Sequence, residues 1–420
     1  MIKRRILNEL KTHLAQPEIS LLVGPRQAGK TTLMVLLKEH LEQQGEKTVF
    51  LSLDFESDQP FFSSQRALLN KIELEFGKKK GYVFIDEIQR KEDAGLFLKG
   101  LYDLRLPYKF IVSGSGSLEL KEKIHESLAG RKRIFEIATI SFEEFVNFKT
   151  DEKYAQNLEQ FFTVEKEKAQ DLRQEYLSFG GYPRVVLEPS LDEKKRIIDE
   201  IYRSCLERDI SYLLKVEKID AFRALIKMLA AQVGRVVNFA ELSSGLGISV
   251  ATVQNYFSYA QKTFILQRVS PYFKNARSEI IKSPVVYFHD LGLRNYVLGL
   301  WGNLSFTADQ GFIFQNFVFR LLHERFRFGS EEIHFWRTKD KAEVDFVIET
   351  GTQIIPVEVK FKELKSADID RSMRNFIQKY RPAEAWVVHL GLKKEEVFES
   401  TKIKILPFYE LMKEKPAENF

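Results

Sequence analysis

Gly24-Pro25-Arg26-Gln27-Ala28-Gly29-Lys30-Thr31 sets two glycines around four residues, then a lysine and a hydroxyl side by side. Such a run suits phosphate. Glycines let backbone N–H groups turn inward around phosphate oxygens, and a following helix N-terminus adds positive dipole. Lys30 can then reach the β- and γ-phosphates of ATP, and the Thr31 hydroxyl can ligate Mg2+. The expected nucleotide contacts are Gly24, Pro25, Arg26, Gln27, Ala28, Gly29, Lys30, Thr31 and Thr32.

Hydrolysis needs a second set of groups after a later strand. Tyr82-Val-Phe-Ile-Asp86-Glu87 supplies an apolar strand ending in two acids. Asp86 is the expected Mg2+ holder, and Glu87 the group that orients and polarises water. The next apolar run ends at Ser113-Gly114-Ser115. Either serine is placed to sense a γ-phosphate, and a plain flexible turn explains them equally well. An arginine helps the charge that develops in phosphoryl transfer. Arg131 is the first candidate and Arg208 the second, against a solvated basic turn. If Arg131 is such a finger, it can serve a neighbouring subunit, which requires an oligomer. Asp54 ends the second strand and reads as structural or as pocket rim.

A third set lies near the C-terminus. Glu343-Val-Asp345 and Glu358-Val-Lys360 flank a turn containing Gly351-Thr352. With those two residues as the loop, Asp345 faces Glu358 and Glu343 faces Lys360. Phe346 then meets Val357, and Ile348 meets Ile355, so the apolar pattern supports that register. Two facing carboxylates with a lysine can hold Mg2+ and polarise a phosphate. A charged hairpin face held by cross-strand pairs explains the same residues. The D…E-x-K arrangement is similar to the PD-(D/E)XK nuclease family, which usually adds an acid from a preceding helix. Gln315 stands at that place here, and glutamine keeps an oxygen but removes a charge. The resemblance implies a nuclease-like fold and leaves active cleavage or a binding role open.

These residues need elements to position them. Apolar runs at Ile19–Val23, Val49–Leu53, Tyr82–Ile85 and Lys109–Val112, with helical patterns such as Thr32–Leu41 between them, predict a parallel doubly wound sheet over residues 1–148. Ligands bind outside the carboxyl ends of such strands. Residues 149–215 read as a charged helical lid or linker, broken at Gly180-Gly181-Tyr182-Pro183. Residues 216–290 read as a winged helix-turn-helix. Ala221–Val233 and a short helix from Phe239 come first. A turn at Gly245 and Gly247 follows, then a helix capped by Ser249 with Val250, Val253, Phe257 and Ala260 on one face. Its other face carries Thr252, Gln254, Asn255, Ser258 and Gln261. Arg268, Lys274, Arg277 and Lys282 follow on the expected wing, with Glu279 the one acid between them. Contact with double-stranded DNA and packing against the rest of the chain both fit these residues. Residues 291–420 return to mixed α/β with a helix at Phe312–Phe326.

Composition sets outer limits. The chain has 420 residues, enough for two or three domains, and 44% hydrophobic residues to build their cores. A net charge of +5 does not by itself announce nucleic acid. The one cysteine, Cys205, rules out an intrachain disulfide and fits a reducing, cytoplasmic setting. No apolar run approaches a membrane span or a signal peptide, so no membrane partner is expected.

GPRQAGKTTL, FIDEIQ, VSGSGSLEL, ESLAGR, ISFEEF and GGYP together resemble the uncharacterised bacterial and archaeal P-loop ATPases of AAA type that carry a C-terminal domain of unknown function. The resemblance runs in order through nearly the whole chain. It implies an AAA-type NTPase fold using ATP and Mg2+. It supports Ser113 or Ser115 as the sensor and raises Arg131 as a site residue.

Overall fold

The structure is a computed structural model that describes residues 2–77, 79–115, 128–207, 210, 218–273, 283–302, 309–327, 329–338, 340, 342–364, 369–391 and 393–413. Arg208 and the wing residues Lys274, Arg277, Glu279 and Lys282 lie outside these, as does the side chain of Ser115.

Five strands build the first sheet: β1 (Ile19–Gly24), β2 (Thr48–Ser52), β3 (Gly81–Asp86), β4 (Tyr108–Ser115) and β5 (Lys132–Glu136). They lie in the order β2-β3-β4-β1-β5 and every pairing is parallel. β1 and β3 are buried along their whole length. That is what helices on both faces of a parallel sheet produce. Successive residues feed opposite cores. Leu21, Val83, Ile85 and Val112 pack on helices Gln65–Phe76 and Ala94–Asp103. Leu22, Phe84 and Ile111 pack on helix Lys30–Gln43 and on Ile6 and Leu10 of helix Ile6–His13. β5 was not foreseen from the sequence. Its KRIFE run is charged and mostly unburied, as an edge strand allows.

The expected helical segment over 149–215 divides between two cores. Helices Phe142–Lys149, Leu158–Val164 and Lys166–Phe179 contribute Phe142, Phe161, Phe162 and Tyr176 to a core shared with Phe314, Phe317 and Phe408. Helix Leu191–Ser204 instead packs Ile197, Ile198 and Ile201 against the middle of the chain. The aromatic residues decide this. Tyr176 and Phe317 meet edge to face with ring centroids 6.1 Å apart, and Phe162 stacks on Tyr409 at 5.0 Å.

The middle region has helices Ile219–Ala231, Phe239–Leu246 and Val250–Lys262, then an antiparallel pair, β6 (Leu266–Val269) and β7 (Val285–Phe288). Gly245 lies within the second helix, and Gly247 alone takes the left-handed turn, at φ 63°. The Ser249 hydroxyl accepts the N–H of Thr252 and starts the third helix, whose Val253, Phe257 and Ala260 are buried, as is Tyr256. Past β6 the chain joins the next sheet, where Tyr272 N–H donates to the Phe335 carbonyl at 2.6 Å.

The second sheet has six strands in the order β12-β13-β11-β10-β9-β8. They are β8 (Glu332–Arg337), β9 (Glu343–Glu349), β10 (Ile354–Val359), β11 (Glu384–His389), β12 (Lys394–Phe398) and β13 (Thr401–Pro407). β8 to β10 form an antiparallel meander, whereas β10, β11 and β13 run parallel. Helix Gln310–Arg325 covers one face and helix Arg371–Tyr380 the other. Phe346 pairs with Val357 and Ile348 with Ile355, the register read from the sequence. Thr350 N–H donates to the Gln353 carbonyl at 2.9 Å around Gly351, at φ 71°.

Candidate functional site

β1 delivers the chain to Gly24, where a Cβ would lie 2.1 Å from the Ile137 carbonyl oxygen. Only glycine fits that approach. Gly29 then takes φ 95° and caps helix Lys30–Gln43, so the helix N-terminus opens onto the turn. Arg4 braces the turn from behind. Its guanidinium donates to the Ala28 carbonyl at 3.1 Å and the Ala138 carbonyl at 2.8 Å, and its Nε lies 3.1 Å from Glu144 Oε2. The two side chains of that ion pair are only 9% and 8% exposed. A buried ion pair needs its hydrogen bonds to offset desolvation. Glu144 also accepts the backbone N–H groups of Arg5 and Ser141. Nothing in the sequence marked Arg4 as part of the cradle, because its partners are 24 and 134 residues away along the chain.

The Lys30 ammonium is buried and donates to the carbonyls of Gly24 at 3.0 Å and Pro25 at 2.8 Å. The Thr31 hydroxyl donates to Asp86 Oδ2 at 2.8 Å. β4 lies between β1 and β3, so its Ser113 is carried beside both motifs. The Ser113 hydroxyl donates to Asp86 Oδ1, and its oxygen accepts the Glu87 N–H at 3.3 Å. A hydroxyl and a carboxylate meeting at 2.8 Å are hard oxygens of the kind Mg2+ takes, so Thr31 and Asp86 fit that ion.

Glu87 turns the chain sharply at φ 57° and accepts a hydrogen bond from the Gln89 amide. Burial pushes its carboxyl above the usual range, against the pull of Lys30 and Arg26 and with a further push from Asp86. A raised carboxyl is a better proton acceptor once ionised. The site opens into a cavity of about 610 Å3 lined by Ile2, Leu36, Ile140, Pro183 and Leu187 on its apolar side and by Arg26, Lys30 and Arg184 on its cationic side. Arg184 belongs to the short helix Pro183–Leu187 and donates to Gln27 Oε1 at 3.1 Å and Glu200 Oε2 at 3.0 Å. In the sequence Gly180-Gly181-Tyr182-Pro183 reads as a turn between helices, with Arg184 directly after it. Its charge directly after that turn is the signal the sequence carries for it.

Arg131 is elsewhere. β5 pairs in parallel with β1, Lys132 beside Ile19 and Glu136 beside Val23. Arg131 therefore stands at the N-terminal end of the sheet, roughly 20 Å from Gly24 at the usual strand rise. There it pairs with Asp103 at 2.7 Å. This placement keeps Arg131 from its own chain's cradle. Asp54 pairs with Arg90 and does not line the cavity.

The C-terminal residues do come together. Asp345 Oδ1 accepts from the Gln315 amide at 3.0 Å and Oδ2 from the Val359 N–H at 2.7 Å. Lys360 donates to Glu358 at 2.7 Å and to Asp370 at 3.3 Å. Burial and then the charge of Asp345 push the Glu358 carboxyl up, and burial likewise raises Asp345. Burial would lower Lys360, but Glu358, Asp370 and Asp345 outweigh it and hold the ammonium at about 12. Asp370 was not anticipated. It caps helix Arg371–Tyr380 and reaches Lys360 from that end. Among the described residues no group of three His, Cys, Asp or Glu side chains is arranged to hold a metal, and no helix is long and apolar enough to cross a membrane.

Residues 16–146 match a family described as an AAA domain. Residues 170–303 and 310–411 match two domains of unknown function, DUF8612 and DUF4143. An uncharacterized protein of Mycobacterium tuberculosis is 25% identical over 395 residues, covering 93% of this chain and 81% of that one. One from Methanocaldococcus jannaschii is 26% identical over 359 residues, covering 82% and 76%. One from Haemophilus influenzae is 25% identical over 358 residues, covering 82% of each. Among solved structures, Cdc6p of Pyrobaculum aerophilum overlaps with a TM-score of 0.30 at 10% identity, covering 73% of this chain and 97% of that one. AMPPCP-bound DnaA of Aquifex aeolicus overlaps with a TM-score of 0.28 at 14% identity, covering 61% and 86%. Overlaps of that size carry no argument about this chain. The chain has an AAA-type P-loop ATPase domain followed by a C-terminal domain of unknown function, with uncharacterised homologues in bacteria and archaea.

Proposed function

We propose that this protein is a Mg2+-dependent ATPase whose nucleotide state governs how its middle and C-terminal regions engage DNA. The observation that carries the first half is that Lys30, Thr31 and Glu87 line one cavity while Asp86 and Ser113 are hydrogen-bonded directly behind them. Mg2+ held by Thr31 and Asp86 supplies charge neutralisation at the β- and γ-phosphates. Around it, Lys30 exchanges its bonds to the Gly24 and Pro25 carbonyls for phosphate oxygens. Glu87 takes a proton from the attacking water, and Ser113 holds the backbone of Glu87 in place. Arg184 reads the occupied cradle from the far wall. Arg131 serves the nucleotide of an adjacent copy, which its position at the opposite end of the sheet favours over its own.

A continuous set of contacts supports the second half. Gly181 N–H, next to the residues lining the cavity, donates to buried Asp290 at 2.8 Å. Asp290 follows β7, and the Asn316 amide bonds both the N–H and the carbonyl of Phe288, at 2.8 and 2.9 Å. Asn316 neighbours Gln315, which touches Asp345. Nucleotide occupancy thus has a packed route to both later regions. DNA is favoured over a protein partner by exposed Gln254 and Asn255 on helix Val250–Lys262, at the face a winged helix uses for base edges.

ATP turnover with and without duplex DNA, in wild type, Lys30→Ala and Glu87→Gln, tests this. Stimulation by DNA, lost in both variants, is expected. Turnover that survives in both sinks the ATPase assignment. Turnover indifferent to DNA, with no DNA affinity even at low salt, moves the reading to a protein partner.

A further inference from the structure

The facing acids of β9 and β10 invite a divalent cation, and the donor set decides whether one fits. A hard cation needs several converging oxygen acceptors with free lone pairs. Asp345 offers few. Oδ1 takes the Gln315 amide at 3.0 Å and Oδ2 takes the Val359 N–H at 2.7 Å. Glu358 Oε1 is held by Lys360 at 2.7 Å. Asp370 is engaged at both oxygens, by the Met373 N–H at 2.9 Å and by Lys360 at 3.3 Å, so among the described residues Glu358 Oε2 is the one oxygen of the three carboxylates that no N–H donor reaches.

Gln315 settles which way its own amide faces. Its nitrogen donates to both Asp345 Oδ1 and the Tyr287 hydroxyl, each at 3.0 Å. Turning the amide over would set its oxygen against the Asp345 carboxylate, two acceptors in contact. Gln315 is 6% exposed and Tyr287 is fully buried, so water cannot replace the lost donor at Asp345. A glutamate at 315 would reverse this. It would bring a third carboxylate and free Asp345 Oδ1.

We infer that this cluster is a closed hydrogen-bonded junction, not a cation site, and that Gln315 is the positioning residue that closes it. The C-terminal region then engages its partner without metal-dependent cleavage, and the junction ties β7 through Tyr287 to the second sheet. This deepens the proposed function by assigning the last region a binding role. It does not depend on ATP turnover.

The test is Mn2+ titration of the full nucleotide-free chain, followed by calorimetry and by the electron paramagnetic resonance of free Mn2+. Wild type and Asp345→Asn should give the same isotherm, since any weak binding at the cradle is common to both. Gln315→Glu should gain a site, with affinity increased by about tenfold or more from the added ligand charge, and Asp345→Asn in that background should remove it. Mn2+ binding by wild type that disappears in Asp345→Asn overturns the inference. So does a folded Gln315→Glu protein that gains no site. Should Gln315→Glu melt at assay temperature, the wild type and Asp345→Asn pair still decides the matter. ATPase assays on the same proteins report separately, so failure of one reading is distinct from failure of the other.

Discussion

The chain presents carboxylates on its two larger sheets, and the two sets are treated differently. At the first sheet, Asp86 bonds two hydroxyls, Thr31 and Ser113, as well as the Glu87 N–H at 3.1 Å, and stands behind the Thr31 and Glu87 that line a cavity of about 610 Å3. Hydroxyls reorient readily and are themselves ligands, so this arrangement can admit a cation and a triphosphate without breaking a backbone contact. At the second sheet, Asp345 bonds a backbone N–H and a buried amide, donors that cannot become ligands. The difference lies in the partners, not in the acids. Two pairs of carboxylates of similar appearance in sequence become one open site and one closed junction.

The largest effect expected from this contrast is at the open site. Glu87→Gln should lower ATP turnover roughly 10³-fold while leaving nucleotide affinity intact, as loss of a general base does. In wild type, turnover should fall as pH drops through the raised Glu87 value, because only the ionised form accepts a proton. That acidic limb should therefore lie above the ordinary carboxylate range. Steady-state rates across pH check both. An acidic limb at the ordinary carboxylate value would remove Glu87 from the role of base.

Arg131→Ala should come next, with a loss of roughly 10²-fold if the residue completes a neighbour's site. Mixing it with Lys30→Ala protein should restore part of the rate, because each copy supplies what the other lacks. A strictly additive mixture would show that Arg131 does no more than pair with Asp103.

Arg184→Ala should raise KM for ATP about tenfold with a smaller change in kcat, since Arg184 contacts the cradle only through Gln27. An unchanged KM would place the nucleotide away from that wall.

Helix Gln310–Arg325 joins the two regions, and Glu324 near its end tests that joint by stability. Burial pushes this carboxyl to about 7, although it is 26% exposed beside Arg320. The native state therefore binds this proton more tightly than the unfolded chain does. Its stabilising effect is complete below the ordinary carboxylate value and is lost as pH rises to about 7. Glu324→Gln should gain roughly 1–2 kcal/mol on wild type at pH ~8 and nothing at pH ~4, the lower figure allowing for screening. Melting curves at the two values measure it. A constant difference would mean Glu324 does not titrate on folding.

The smallest effect is expected from Asp345→Asn, which should change ATP turnover less than about twofold because Asp345 touches no cradle residue directly and stands at the far end of the contacts that lead from Gly181 through Asn316 to Gln315. A large loss there would mean that the junction and the cradle open together.

The open site was legible because its parts are local. Glycines, lysine and hydroxyl lie within one turn, and a fully apolar strand announces the acids, so residue type and spacing carried the chemistry. The hairpin register was legible for a similar reason, since alternation around Gly351-Thr352 allows one pairing that buries the apolar face. What the sequence could not decide depended on groups brought from afar. Arg4 meets Ala28 and Ala138 only once the sheet has closed, and Arg184 reaches Gln27 across 157 residues. The sequence left Arg131 open between a solvated turn, its own cradle and a neighbour's, and a parallel β5 sets it at the other end of the sheet from its own cradle. The division of residues 149–215 between two cores followed aromatic contacts of Tyr176 with Phe317 and of Phe162 with Phe408. Residue type sets what a side chain can do, but whether Asp345 is a ligand or a strut was decided by which donors the tertiary fold brought to its two oxygens.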